Sequence, residues 1–237
     1  MLKTIKFNSP QETAQELGFD LSQELIALKN RGYKVLLLLS GGSALSVLTH
    51  ISNNGLGEHL TIGMLDERYD PSNQDSNFIQ LTKTEFYRRA KKSGCSFIDT
   101  STKRGQTQKE MGNYFEKNLK TWKKINKRGI ILATLGMGTD GHIAGIMPFP
   151  KNDKRFQWLF MGKNWVAAYD ATNKNLYPLR VTTTITFLKI INSGFVYICG
   201  ENKAAAFKKI SSPGKISELP CRALKQSKKI TIYTDIK

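Results

Sequence analysis

Residues 135–148 read LGMGTDGHIAGIMP, setting Asp140 and His142 two residues apart among Gly136, Gly138 and Gly141. An imidazole changes charge near neutral pH and a nearby carboxylate can orient it, so the pair suits general acid–base work. The same letters spell G-x-G-x-x-G, the phosphate loop of dinucleotide-binding folds. That fingerprint needs a long helix after the third glycine and an acidic residue about 20 positions on, at the end of a strand. Here Pro148 cuts any helix short, and Asp153 lies in KNDKRFQ, which has no strand pattern. A nicotinamide cofactor is therefore not expected. The other two histidines, His50 and His59, fall in a helix and a helix-to-strand connection and read as structural or surface residues.

Two further loops could carry chemistry. In LLLLSGGSALSVL, Gly41 and Gly42 allow a tight turn that aims backbone amides and the Ser43 hydroxyl at a helix N-terminus, an arrangement that favours an anion such as phosphate. It lacks the Lys-Ser/Thr ending of a nucleoside-triphosphate loop. Leu45 stands where a nucleophilic serine in G-x-S-x-G would need glycine, so Ser43 is not read as a nucleophile. The stretch LDERYDPSNQDSN brings Asp66, Glu67, Arg68, Asp70 and Asp75 into one loop. Carboxylates there can accept from sugar hydroxyls while arginine donates to an anion. Calcium is not expected, because no EF-hand spacing is present and Arg68 would repel the ion. Asp75 or Asn77 is expected to cap a helix beginning at Phe78.

These loops need strands to hold them. Candidate strands are TIKF, KVLLLLS, LTIGMLD, CSFIDT, GIILATLG, WVAAYD, GFVYICG and KITIYTD. Several are apolar throughout, as expected of parallel strands covered on both faces. Helical periodicity covers 11–29, 44–52, 78–89, 107–125 and 203–211. Alternation of the two predicts an α/β fold: a single domain over 1–237, with a mostly parallel, doubly wound, Rossmann-like sheet and helices on both faces. Ligands of such sheets bind at the carboxyl ends of the strands, which is where all three loops fall.

The 237 residues carry a net charge of +17, with 40% hydrophobic content. Lysine and arginine are spread along the chain instead of gathering in a stripe with interleaved aromatics, so nucleic acid is not the expected partner. Cys95, Cys199 and Cys221 lack C-x-x-C spacing and are expected to be reduced and mostly buried, with no zinc site. MLKTIKFN has no secretory pattern, and the longest apolar run, VLLLL, is too short to span a bilayer. A cytoplasmic protein without a membrane partner is expected.

Four segments in order, LSGGS at 39–43, LDER…DSN at 65–77, LGMGTDGHIAGIMP at 135–148 and YPLRVTTTITFLKIINSGFVYICGENKA at 177–204, resemble the 6-phosphogluconolactonase and glucosamine-6-phosphate deaminase superfamily. The deaminase branch resembles D-G-H-I-A-F-N-E-P in the third segment, with a glutamate five positions after the histidine. This chain has Met147 there and looks like the lactonase pattern D-G-H-x-A-S-L-F-P. The resemblance implies hydrolysis of 6-phospho-D-glucono-1,5-lactone to 6-phospho-D-gluconate in the oxidative pentose phosphate pathway, with no cofactor and no metal. Carried over by motif, His142 would be the base that activates water, with Asp66 or Asp140 orienting it or the sugar hydroxyls. Arg68, Arg180 and Lys203 would hold the phosphate, with amides of Gly41, Gly42 and Ser43. Asn77 and Gly138 would complete the substrate site. The alternatives are a glucosamine-6-phosphate deaminase/isomerase-like enzyme, or a non-catalytic sugar-phosphate-binding regulator. The partner would be a small-molecule sugar phosphate, and the protein a monomer or weak homo-oligomer.

Overall fold

The computed structural model describes residues 2–150, 152–171, 174 and 176–237. Strands β1 (Leu2–Lys6), β2 (Val35–Leu39), β3 (Leu60–Met64), β5 (Ser96–Phe97), β6 (Ile130–Gly136), β9 (Ser193–Ile198) and β10 (Ile230–Thr234) form one sheet in the order β1-β10-β9-β6-β2-β3-β5. Every pairing in it is parallel. The run VLLLL is apolar throughout because β2 is buried on both faces. Val35, Leu37 and Leu39 enter one core, and Leu36 and Leu38 the other.

Helix α1 (Pro10–Asn30) covers the first face through the stripe Ala14, Leu17, Leu21, Leu25 and Leu28. It starts where it does because the Ser9 hydroxyl accepts from the Glu12 N–H at 3.1 Å and Pro10 occupies the first helical position. Helix α4 (Gln108–Ile125) covers the second face through Met111, Phe115, Leu119 and Trp122, and its start is fixed by a Thr107–Glu110 capping box.

From β2 the chain moves outward to β3 and β5, then returns to place β6 on the other side of β2. The strand order reverses between β2 and β6. A crevice opens at the carboxyl ends of such a pair.

The structure corrects several sequence expectations. DER, expected within a loop, is a strand, and WVAAYD does not join the parallel sheet. Strands β4 (Asp66–Arg68), β7 (Val166–Asp170) and β8 (Leu179–Thr183) make a separate antiparallel sheet, β4-β8-β7. Leu65 alone separates β3 from β4. Its N–H donates to Leu39 of the large sheet at 2.8 Å, and its carbonyl accepts from Thr183 of the small sheet at 2.9 Å.

The helix expected over 78–89 is two helices, α2 (Asn77–Thr82) and α3 (Glu85–Lys92), because the Thr84 hydroxyl caps a new start by accepting from Tyr87 N–H. The residue that caps α2 is Ser76, through the Ile79 N–H, and not Asp75 or Asn77. The segment expected as a helix over 44–52 is a 3-10 helix, Gly42–His50. That expected over 203–211 shrinks to a 3-10 turn, Glu201–Lys203, and α7 (Ala204–Lys208). Two short helices without clear periodicity, α5 (Asp153–Phe160) and α6 (Ile185–Leu188), complete the α-helices among the described residues.

Candidate active site

The crevice between β2 and β6 is an open cleft, about 590 Å³ when the solvent space at its mouth is included. It is lined by the Ser40–Ser43 turn after β2, by Gly136–Gly138, His142, Ala144 and Gly145 after β6, by Asp66, Arg68 and Arg180 from the small sheet, and by Asn77. Three loops distant in sequence therefore meet where the topology places a ligand.

His142 stands over the loop backbone. Its Nδ1 lies 2.6 Å from Asp140 Oδ1, and its backbone N–H donates to the same oxygen at 3.1 Å. An ionised carboxylate can only accept, so Nδ1 carries the hydrogen and Nε2 is left as the basic nitrogen. Burial would raise the Asp140 carboxyl, but the hydrogen bonds and charge of His142 outweigh it and hold the group below the usual aspartate value. The ring approaches so closely that a Cβ at position 138 would lie 2.1 Å from both Cε1 and Nδ1 of His142. Glycine is needed there for space.

The loop is tied down from behind. Gly138 N–H donates to the His142 carbonyl at 2.9 Å, which commits that amide to the loop. The Tyr169 hydroxyl donates to the Gly145 carbonyl at 2.7 Å and accepts from Met147 N–H at 3.1 Å. The Thr182 hydroxyl donates to the Ala144 carbonyl. Ala144 itself sits at φ 46°, an uncommon conformation for a residue with a side chain, and these bonds hold it there.

Opposite this loop, the small sheet presents its charges. Asp66, Arg68, Arg180 and Thr182 project from one face, since Asp66 pairs with Thr182 and Arg68 with Arg180 in the antiparallel register. The buried Arg180 donates to Asp66 across 3.3 Å. The guanidinium of Arg68 lies 4.1 Å over the Tyr177 ring and donates to the Asp75 carbonyl at 3.4 Å. Like charges directly opposite on adjacent strands destabilise a sheet. The Asp66 carboxylate, opposite Thr182, reaches Arg180 only on the diagonal, whereas Arg68 and Arg180 stand directly opposite each other. The geometry favours an anion between them.

Asn77 works from beneath. Its amide donates to the Asp66 carbonyl at 3.0 Å, and its Oδ1 lies under the glycine turn, where a Cβ on Gly41 would be 2.3 Å away. The structure thus brings His142, Asp66, Gly41, Gly42, Ser43, Arg68, Asn77, Gly138 and Arg180 to one cleft, with Asp140 directly behind His142. It separates the roles left open between the two aspartates: Asp140 contacts the imidazole, and Asp66 contacts Arg180. Lys203 is not brought into the lining. It ends the 3-10 turn 201–203, where burial lowers its ammonium below the usual lysine value against the opposing field of Asp235. His50 and His59 also lie outside the cleft. Among the described residues, no three His, Cys, Asp or Glu side chains converge to hold a metal ion.

A family model described as glucosamine-6-phosphate isomerases/6-phosphogluconolactonase matches residues 8–233. The chain belongs to this family. Within the isomerase/lactonase family, a 6-phosphogluconolactonase of Xylella fastidiosa is 27% identical over 230 residues, covering 92% of this chain and 89% of the relative. One from Neisseria meningitidis is 27% identical over 219 residues, covering 91% and 90%. The solved structure of the Trypanosoma brucei 6-phosphogluconolactonase shares the fold at a TM-score of 0.78 and 19% identity, with 99% of this chain and 96% of that chain covered.

Other residues of this isomerase/lactonase-family site escaped the sequence reading. Ser40 was passed over between its glycine neighbours, yet its hydroxyl accepts from Gly136 N–H at 3.1 Å and joins the two strand ends. Tyr169 lies in a segment that carries no motif, and Thr182 lies in the 177–204 segment singled out for Arg180 and Lys203 alone; both show their role only as partners of the 144–147 backbone. Gln108 holds the carbonyls of Tyr169 and Arg180 at 2.8 and 2.9 Å.

Proposed function

We propose that this protein hydrolyses 6-phospho-D-glucono-1,5-lactone to 6-phospho-D-gluconate. The observation that carries the reading is the meeting of two unlike devices in one cleft: an aspartate-oriented imidazole after β6 and an arginine pair on β4 and β8. One suits proton transfer and the other a phosphate. The isomerase branch is disfavoured because Met147, which stands where that branch resembles a glutamate, is fully buried and outside the cleft.

In this reading the phosphate lies between Arg68 and Arg180, with the amides that open the 42–50 helix adding to the positive field. This places the lactone ring toward His142. Nε2 takes a proton from water as its oxygen bonds to C1. The tetrahedral intermediate then collapses, the bond from C1 to the ring oxygen breaks, and the imidazolium returns the proton to that oxygen. The product carboxylic acid ionises in water. A δ-lactone is already an activated ester, so this sequence calls for no covalent nucleophile. Asp140 keeps the imidazole in the required tautomer throughout. The protein is further read as cytoplasmic, acting on a small sugar phosphate and not on nucleic acid, as a monomer or weak homo-oligomer. None of the helices among the described residues is long and apolar enough to cross a membrane.

The test is hydrolysis of freshly generated lactone, followed with the spontaneous rate subtracted. Wild type should exceed the spontaneous rate, and His142→Ala should lose about 10²–10⁴-fold in kcat, the usual contribution of a general base. Ammonia release from glucosamine-6-phosphate would overturn the branch assignment. Binding of 6-phosphogluconate without turnover would make the protein a sugar-phosphate-binding regulator.

A further inference from the structure

We propose that Glu67 is a positioning residue whose buried carboxylate sets Arg68 for gripping the substrate phosphate and Asn77 for its place beneath the glycine turn, an inference that rests on the lactonase reading above. Alternation along β4 turns Asp66 and Arg68 to the cleft and Glu67 away from it. Glu67 is fully buried, yet no cation faces it in an ion pair among the described residues. It is held by donors alone. Oε1 accepts from the N–H of Arg68 at 2.8 Å and of Asn77 at 2.5 Å. Oε2 accepts from Phe78 N–H at 2.8 Å and from the hydroxyls of Ser76 at 3.1 Å and Thr100 at 3.3 Å.

One carboxylate thus joins β4, the first turn of α2 and the segment after β5. Two of its partners, Arg68 and Asn77, line the cleft, and Asn77 in turn supports the Gly41 turn. An ionised carboxylate offers about four lone-pair sites, all directed at donors here, whereas an amide or a protonated acid must aim hydrogens at some of the same N–H groups. Keeping a charge in this place is costly. Burial pushes the Glu67 carboxyl up to about 7, even against the pull of the three backbone N–H bonds. An apolar side chain would avoid that desolvation penalty. What it would not supply is a fixed backbone path from residue 67 to residue 78, and that path determines where the Arg68 guanidinium and the Asn77 amide stand.

The test compares wild type, Glu67→Gln, Arg68→Met and the double variant, reading the Kd of 6-phosphogluconate by calorimetry and KM and kcat with the phosphorylated lactone. Thermal unfolding serves as a check that each is folded. Glu67→Gln keeps the shape of the side chain and should raise both Kd and KM at least about tenfold, the scale of one lost hydrogen bond to a charged group. Its kcat should stay within about twofold of wild type, since the Asp140–His142 pair is untouched. The Glu67→Gln and Arg68→Met effects should be strongly sub-additive. Thr100→Val removes a single donor at near-constant volume. It is the milder probe should Glu67→Gln not fold, and its Kd should rise about twofold to threefold.

Full additivity with Arg68→Met, or a folded Glu67→Gln protein with unchanged Kd, overturns the proposal. So does a loss confined to kcat. Calorimetry needs no turnover, so a wild type that binds 6-phosphogluconate without hydrolysing the lactone refutes the catalytic reading alone. A wild type that does not bind it refutes the positioning role as well.

Discussion

Gly138→Ala isolates the chemistry from binding and from folding. The added Cβ would lie 2.1 Å from both Cε1 and Nδ1 of His142 and 2.8 Å from Asp140 Oδ1. Carbon atoms rest in contact at about 3.5 Å, so the imidazole has to move by roughly 1.4 Å. Asp140 cannot follow to preserve the 2.6 Å bond, because the methyl group crowds it too. A displacement of about 1 Å at a reacting group costs on the order of 100-fold, or about 2.7 kcal/mol in the barrier. We therefore expect kcat for the phosphorylated lactone to fall at least about 100-fold. KM should hold within about twofold, since Arg68 and Arg180 belong to another sheet.

Stability should change little. The His142 ring is partly exposed and can swing toward solvent, and the φ of Gly138 lies outside the left-handed region, so alanine is accepted by the backbone. Gly136→Ala is the control. It lines the same cleft, but its Cβ would meet only Ala44 Cβ, at an ordinary 3.8 Å. Steady-state hydrolysis with the spontaneous rate subtracted decides the matter. A Gly138→Ala enzyme within threefold of wild type, or equal damage from Gly136→Ala, would refute the placement of His142 as the base.

Two other substitutions test the charges and the core. Arg180→Met should lower stability by about 3–5 kcal/mol, because it leaves the Asp66 carboxylate buried without its partner at 3.3 Å. Arg68→Met, at a more exposed position, should leave the midpoint nearly unchanged, and equal thermal unfolding midpoints for the two would count against the buried pair. Met147→Glu should destabilise the protein by a similar amount instead of creating deaminase activity, since residue 147 is fully buried and its backbone N–H is fixed by Tyr169. A stably folded variant that releases ammonia from glucosamine-6-phosphate would show that this position reaches the cleft.

The parallel sheet was legible because burial on two faces demands near-continuous apolar runs, which VLLLL supplies outright and GIILATLG with one buried threonine, Thr134. The glycine-bounded loops at strand ends were legible for a related reason: turns and close backbone approach restrict residue type more than ordinary surface does. Strand β4 was not. Three polar residues, Asp66–Arg68, have no period to display, and they become a strand only because β8 arrives from more than a hundred residues away. The break between α2 and α3 was hidden for the opposite reason. Apolar periodicity runs on through Lys83 and Thr84, and a single hydroxyl bond restarts the helix. Glu67 read as one more loop acid because its partners are mostly backbone N–H groups, which are the same in every sequence. Lys203 was carried to the site by motif, but its place in space depends on how far the 201–203 turn extends the chain beyond β9.

Leu65 is a spacer of one residue bonded to both sheets, and that has a consequence for how such a chain can change over evolutionary time. Side chains along a strand alternate between faces, so adding or deleting one residue here would turn Asp66 and Arg68 away from the cleft and bring Glu67 to it. The grip on an anion would become a carboxylate facing Arg180, with every other residue of the protein unaltered. Chain length in this corner therefore binds the site alongside residue type: the constraint is as much arithmetic as chemical.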